Sequence, residues 1–115
     1  DSYFMRTGEY RFDPSKLVDA HDTCLHEYMK LVRNAQVYVI VDNTNLTVWE
    51  IATYYRLAEL EGYYVSVVEM TTAFNVCLQR NTHKVPEIKM GMMYQTLKYE
   101  RLPQHWQVRY IDGDL

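Results

Sequence analysis

Asp42, Asn43 and Asn45 have the types and spacing to handle a phosphate and its metal. They stand in "VDNTN", directly after the apolar run Val37, Tyr38, Val39, Ile40 and Val41. Such a β-branched and aromatic run, with no polar alternation, predicts a strand buried on both faces, as in parallel sheets. Ligands collect beyond the carboxyl ends of such strands. A carboxylate there can hold Mg²⁺ or its water shell. The two amides can donate to phosphate oxygens. The same residues also suit a plain strand-to-helix turn, because Asn and Asp side chains bond nearby backbone. This segment alone leaves both readings open.

His21, Cys24 and His26 form a second candidate group. Residues 21 and 24 share a helix face. Cys24 also belongs to an apolar stripe, where a thiol acts as a small hydrophobe. No further Cys or His pair completes a tetrahedral zinc set. Packed or solvated histidines are the expectation here, not a zinc site.

The elements that must position these groups follow from periodicity. Asp13 is an expected N-cap with Pro14 at the first helical position. Leu17, Ala20, Cys24, Tyr28, Leu31 and Ala35 then recur at intervals of three and four, which is one apolar helix face. Residues 37–41 are the expected first strand. Thr47 and Glu50 fit a capping box. They open a second helix that faces inward through Val48, Ile51, Ala52, Tyr55, Leu57 or Ala58, and Leu60, with Gly62 as its stop. "YYVSVVEM", residues 63–70, reads as a strand, and "TAFNVCLQRN" as a short helix. Pro86 opens another helix through about residue 98. A last strand is expected over residues 106–111. Strands separated by helices imply crossover connections and a three-layer parallel α/β sheet. Trp49 and Trp106 are expected to be packing anchors. The methionines of "KMGMMYQTLKYE" are expected to fill core gaps.

Composition bounds the function. The 115 residues are 48% apolar and 23% charged, an ordinary globular balance that suits one domain. Eleven tyrosines favour half-buried positions, where the ring packs and the hydroxyl stays wet. A net charge of −3 argues against a broad basic surface for nucleic acid, while leaving room for a narrow basic cleft. No run approaches the roughly 18 apolar residues of a membrane span, and no signal peptide is visible. Two isolated cysteines favour a reducing, intracellular setting, cytoplasmic or nuclear.

"DSYF…GEYRFDP", "DNTN" followed by "WE", "EGYYVSVVE" and "RNTHKVP" resemble, in that order, the polynucleotide-kinase-like P-loop kinases. The likeness is closest to the kinase domain of the NEDD4-binding protein 2 family. It runs from residue 1 to about residue 100. It implies a sheet of the P-loop nucleoside triphosphate hydrolase/kinase type, with ATP and Mg²⁺ as cofactors. The implied reaction is phosphoryl transfer to a hydroxyl, plausibly the 5′-hydroxyl of a nucleic-acid end. By the same resemblance, Asp1 matches the acid that takes the proton from the attacking hydroxyl. Asp42 matches the acid beside the phosphates and metal, which it holds indirectly. Arg80 matches the lid arginine that contacts the donor phosphates, with Asn81 and His83 in the same lid segment.

Two departures qualify the likeness. These kinases begin with a strand and a GxxxxGK(S/T) loop whose amides and lysine cradle the phosphates. The four glycines of this chain, Gly8, Gly62, Gly91 and Gly113, form no such loop. Residues 1–115 are therefore expected to be a single domain, the larger carboxy-terminal part of a P-loop kinase domain, binding ATP poorly as it stands. In addition, Ser2 and Phe4 replace a second acid and an arginine that help hold substrate phosphate, leaving Arg6 or Arg11 as substitutes. Two alternatives stay open: a non-catalytic, kinase-derived nucleotide-binding or protein-interaction module, and a kinase for a small metabolite.

Overall fold

The computed structural model describes residues 2–5 and 8–114; Asp1, Arg6, Thr7 and Leu115 lie outside the described residues. Two 3₁₀ turns, Ser2–Met5 and Pro14–Lys16, precede helix α1, Leu17–Arg33. Asp13 starts the second turn by accepting the Ser15 amide at 3.0 Å and the Ser15 hydroxyl at 2.7 Å. The buried stripe of α1 is Ala20, Tyr28 and Val32, with Leu25 packed beside it. It is rotated from the expected face, since Leu17 and Leu31 are exposed and Ala35 lies past the helix at φ 52°.

Helix α2, Val48–Leu60, crosses α1. Tyr55 and Ala58 are its buried positions. Its end is fixed by two backbone bonds. The Gly62 amide donates to Glu59 at 3.0 Å and the Tyr63 amide to Ala58 at 3.0 Å. This closure requires a left-handed residue, and Gly62 supplies φ 83°. Tyr63 then folds back onto the cluster of Tyr28, Val32 and Ala58.

Strand β1, Val67–Thr71, and strand β2, Val108–Asp112, pair in parallel, Val67 opposite Val108 and Thr71 opposite Asp112. Between them run α3, Phe74–Gln79, and α4, Glu87–Tyr99, which pack on each other. Phe74 packs beside Gly91 and meets Tyr94 with ring centroids 5.3 Å apart. The fold is thus α/β with a parallel, crossover-connected pair of strands. A three-layer sheet is not formed by the described residues, whose one sheet has two strands.

The expected strand at 37–41 is corrected in two respects. It is extended chain outside any ladder, and it is not buried on both faces. Val39 and Val41 pack on the Tyr28, Val32 and Ala58 cluster. Val37, Tyr38 and Ile40 point outward and are 83%, 88% and 87% exposed. A run of this composition becomes a strand only beside another backbone, and no described strand flanks it. Alternation of packed and exposed side chains, plus the Tyr63 hydroxyl on the Gln36 carbonyl at 2.8 Å, holds it straight.

The core is correspondingly thin. The radius of gyration is 15.3 Å, against roughly 13 Å for a compact chain of this length. Trp106 is buried as expected. Trp49 is not the expected packing anchor, being 89% exposed. Of the clustered methionines, Met90 and Met93 are half-buried and Met92 is exposed. No described helix is long and apolar enough to cross a membrane.

Candidate functional site

A groove of about 500 Å³ opens between the extended segment 37–41 and the inner edge of β1. Val39 and Val41 help form one wall, and Val67 and Met70 the other. Asp42, Asn43, Thr44 and Asn45 line the same groove, as does Glu69. The structure therefore gathers the "DNTN" side chains at the carboxyl end of an extended segment. Asn45 turns the chain there at φ 48°, a left-handed conformation that Asn adopts more readily than other side chains.

The side chains in this loop are not equivalent. Asp42 is exposed, and its carboxylate bonds no other described residue. Asn43 is engaged by Cys24, whose thiol lies 3.6 Å from Asn43 Oδ1. Cys24 also sits beside Tyr54. Burial, with the Cys24 contact added, pushes the Tyr54 phenol up to about 12. Tyr28 donates its hydroxyl to the Tyr54 carbonyl at 2.7 Å, and burial raises its phenol too.

The start of α2 follows this loop, and several of the amides there are already occupied. Thr47 Oγ1 accepts from the Glu50 amide at 3.3 Å. Glu50 reaches back to the Leu46 amide at 2.7 Å, one residue beyond the expected capping box. Glu100, at the end of α4, takes the Val48 amide at 3.1 Å. Two carboxylates thus fill a helix terminus that would otherwise attract an anion.

The second group of expected site residues lies apart from that groove lining. Arg80 closes α3 as its C-cap, and its Nη1 donates to the Gly113 carbonyl at 2.6 Å. Asn81 clamps its own loop, donating to the Val85 carbonyl at 2.7 Å and accepting the Val85 amide at 3.0 Å. His83 stacks on Tyr10, with centroids 3.9 Å apart and planes 23° from parallel. Asp1 lies outside the described residues, as does Arg6. Arg11 pairs with Glu9 at 3.2 Å. His21 and His26 are exposed, and no three described His, Cys, Asp or Glu side chains converge on a metal position.

Three participants had no signal strong enough to single them out in the sequence. Glu69 lines the groove together with its β1 neighbours Val67, Val68 and Met70. Gly113 and Asp114, in "DGD", lie past the expected last strand and hold α3 at both ends.

These residues fit Mg²⁺ in one limited sense. The ion keeps several waters and takes one or two carboxylates plus substrate phosphate oxygens, so a lone exposed Asp42 suffices as the protein's share. Arg80 keeps donors beyond the one on Gly113, and a guanidinium fork matches phosphate oxygens.

The profile of the AAA domain family matches residues 3–91. The chain belongs to this family. It is a P-loop kinase-like, nucleotide-binding type of domain, in agreement with the ordered resemblance from "DSYF" to "RNTHKVP". Human NEDD4-binding protein 2 is 30% identical over 99 residues, an overlap of 83% of this chain and 6% of the human protein. The chain thus spans a small fraction of that relative's length. No solved structure matches it.

Proposed function

We propose that this chain is the larger carboxy-terminal part of a P-loop kinase domain. In the intact protein that domain transfers a phosphoryl group from ATP, with Mg²⁺, to a hydroxyl. The acceptor class we favour is the 5′-hydroxyl of a nucleic-acid end, in an intracellular compartment. The observation that carries this reading is the placement of Asp42. A carboxylate without a described protein partner lines a groove beside two amides, in a chain of this family.

Each residue has an assigned part. Asp42 organises the metal and the phosphates, with Asn43 and Asn45 donating to phosphate oxygens. Arg80 neutralises charge on the transferring group, with Asn81 and His83 shaping its loop. Asp1 accepts the proton of the attacking hydroxyl. Bound ATP supplies the phosphoryl group and Mg²⁺ its charge neutralisation, and catalysis is mostly positioning and electrostatics.

The test is a transfer assay with ATP, Mg²⁺ and a 5′-hydroxyl oligonucleotide, run on the longest natural form of the protein. Asp42→Ala and Arg80→Ala are each expected to lower the rate about a hundredfold. An unchanged rate in Asp42→Ala overturns the reading. Asp1→Asn is expected to slow transfer by a similar factor while ATP binding survives. A second reading, a kinase-derived protein-interaction module, is favoured by the outward Val37, Tyr38 and Ile40. Folded protein without ATP binding or transfer would favour it. Transfer to a small hydroxylated metabolite, with none to the oligonucleotide, would move the acceptor class instead.

A further inference from the structure

The turn at the end of β2 is joined to α3 at both of that helix's ends. Asp114 Oδ1 accepts the amide of Ala73, the residue that opens α3, at 2.8 Å. The Gly113 carbonyl accepts Nη1 of Arg80, the residue that closes α3, at 2.6 Å across 33 positions of sequence. The turn is itself fixed. The Gly113 amide donates to the Thr71 carbonyl at 2.9 Å, and the Asp114 amide to Asp112 Oδ1 at 2.8 Å. Thr71 and Asp112 are opposite each other in the last register pair of the sheet. The brace therefore runs from the sheet, through residues 112–114, to both ends of a six-residue helix.

Gly113 sits in tight quarters, where an added side chain would force Thr72 to move. A Cβ at this position would overlap Thr72 Oγ1, and it would come to 3.4 Å from Thr72 Cβ and 3.5 Å from Met70 Cε. The clash is therefore with one hydroxyl, and removing that hydroxyl removes it.

We propose that the Gly113–Asp114 turn is a positioning element for Arg80. It holds one corner of the guanidinium, so that the remaining N–H donors are presented as an oriented fork and not as a freely rotating charge. A long Arg side chain loses rotamer freedom when fixed, and the turn takes up part of that loss before any anion arrives. Asp114 acts through the helix, and Gly113 acts on the side chain directly. The role of the fork toward phosphate rests on the proposed function; the brace itself does not.

The experiment uses the full chain, with inorganic tripolyphosphate as the probe. The Arg80 Nε–H resonance and the exchange protection of the Ala73 amide are followed in wild type, Gly113→Ala, Thr72→Ala/Gly113→Ala, Asp114→Ala and Asp114→Asn. Wild type is expected to show a dispersed Arg80 signal and a protected Ala73 amide. Gly113→Ala should collapse the Arg80 signal toward that of a free side chain and weaken tripolyphosphate binding by up to roughly tenfold, the cost of ordering a loose guanidinium on binding. The Thr72→Ala/Gly113→Ala pair should restore both. Asp114→Ala should strip Ala73 protection, and Asp114→Asn, which keeps an acceptor oxygen, should retain most of it. If the Arg80 signal and the Ala73 protection are unchanged in Gly113→Ala and Asp114→Ala, the positioning role is overturned. If both respond as expected but Arg80→Ala binds tripolyphosphate as wild type does, the brace stands, and the phosphate role given to Arg80 under the proposed function is refuted.

Discussion

Trp106 lies against Tyr55 with ring centroids 4.4 Å apart and planes 9° from parallel. The pair ties the approach to β2 onto the middle of α2, and both residues are buried. In a core with few buried residues, such a contact carries a large share of the packing. Trp106→Ala is expected to cost about 3 kcal/mol, read as a lower urea midpoint. A midpoint shifted by less than a third of that loss would remove Trp106 from the core.

Gly62 supplies a backbone conformation that other residues adopt at a cost. Gly62→Ala is expected to destabilise the chain by about 1 kcal/mol. The effect enters through strain alone, since no atom stands within 4 Å of the added methyl. Equal thermal midpoints for the two proteins would contradict it.

The extended segment predicts a solubility phenotype. Tyr38 and Ile40 face water on a backbone outside any ladder, the arrangement that recruits other strands. Ile40→Lys should lower concentration-dependent light scattering and change stability by no more than about 0.5 kcal/mol. Undiminished scattering would show that this edge is not the sticky one.

Acid acts on the start of α1. The Ser15 hydroxyl and amide hold the Asp13 carboxyl below its ordinary 3.8. A carboxyl lowered in the folded state binds its proton more weakly there than when unfolded. Its stabilising contribution is therefore full above about pH 4 and lost as pH falls through the lowered value. Helical ellipticity of wild type and Asp13→Ala should differ near neutrality and converge in acid.

Alkali acts on the cluster beside Asn43. Tyr54 is raised from 10.0 to about 12, first by burial and then by Cys24. A raised phenol favours the neutral folded form, so its contribution is full below pH 10 and lost as pH rises through about 12. Tyr54→Phe should flatten the fall in unfolding midpoint across that window. A parallel fall in both proteins would place the alkaline weakness elsewhere.

The legible parts of the molecule were those set by local chemistry. The Asp13 start, the Thr47 cap and the Gly62 stop depend on residues within a turn of each other, whereas the buried faces of α1 and α2 only partly follow the expected ones, Leu17, Leu31 and Leu60 being exposed. The strand at 37–41 was not legible because a strand is a relation between two backbones, and apolar composition describes only one of them. The site divides the same way. "DNTN" was readable as a polar loop at the end of an apolar run, and the structure places it on a groove wall. The clamp of Asn81 on Val85 is local in sequence but turns on which amide atoms face inward. The grip of Gly113 on Arg80 joins residues far apart, so periodicity carries no trace of it.

Trp49 and Trp106 give the chain two natural optical probes with opposite surroundings. Trp49 sits in the first turn of α2, just past the "DNTN" loop, in contact with water. Trp106 is sealed against Tyr55. Iodide quenches an indole it can reach, so it should darken Trp49 and spare Trp106. The emission left after quenching then comes from the interior, and the quenched fraction from the loop side. Folding and events at the loop can thus be followed separately in unlabelled protein.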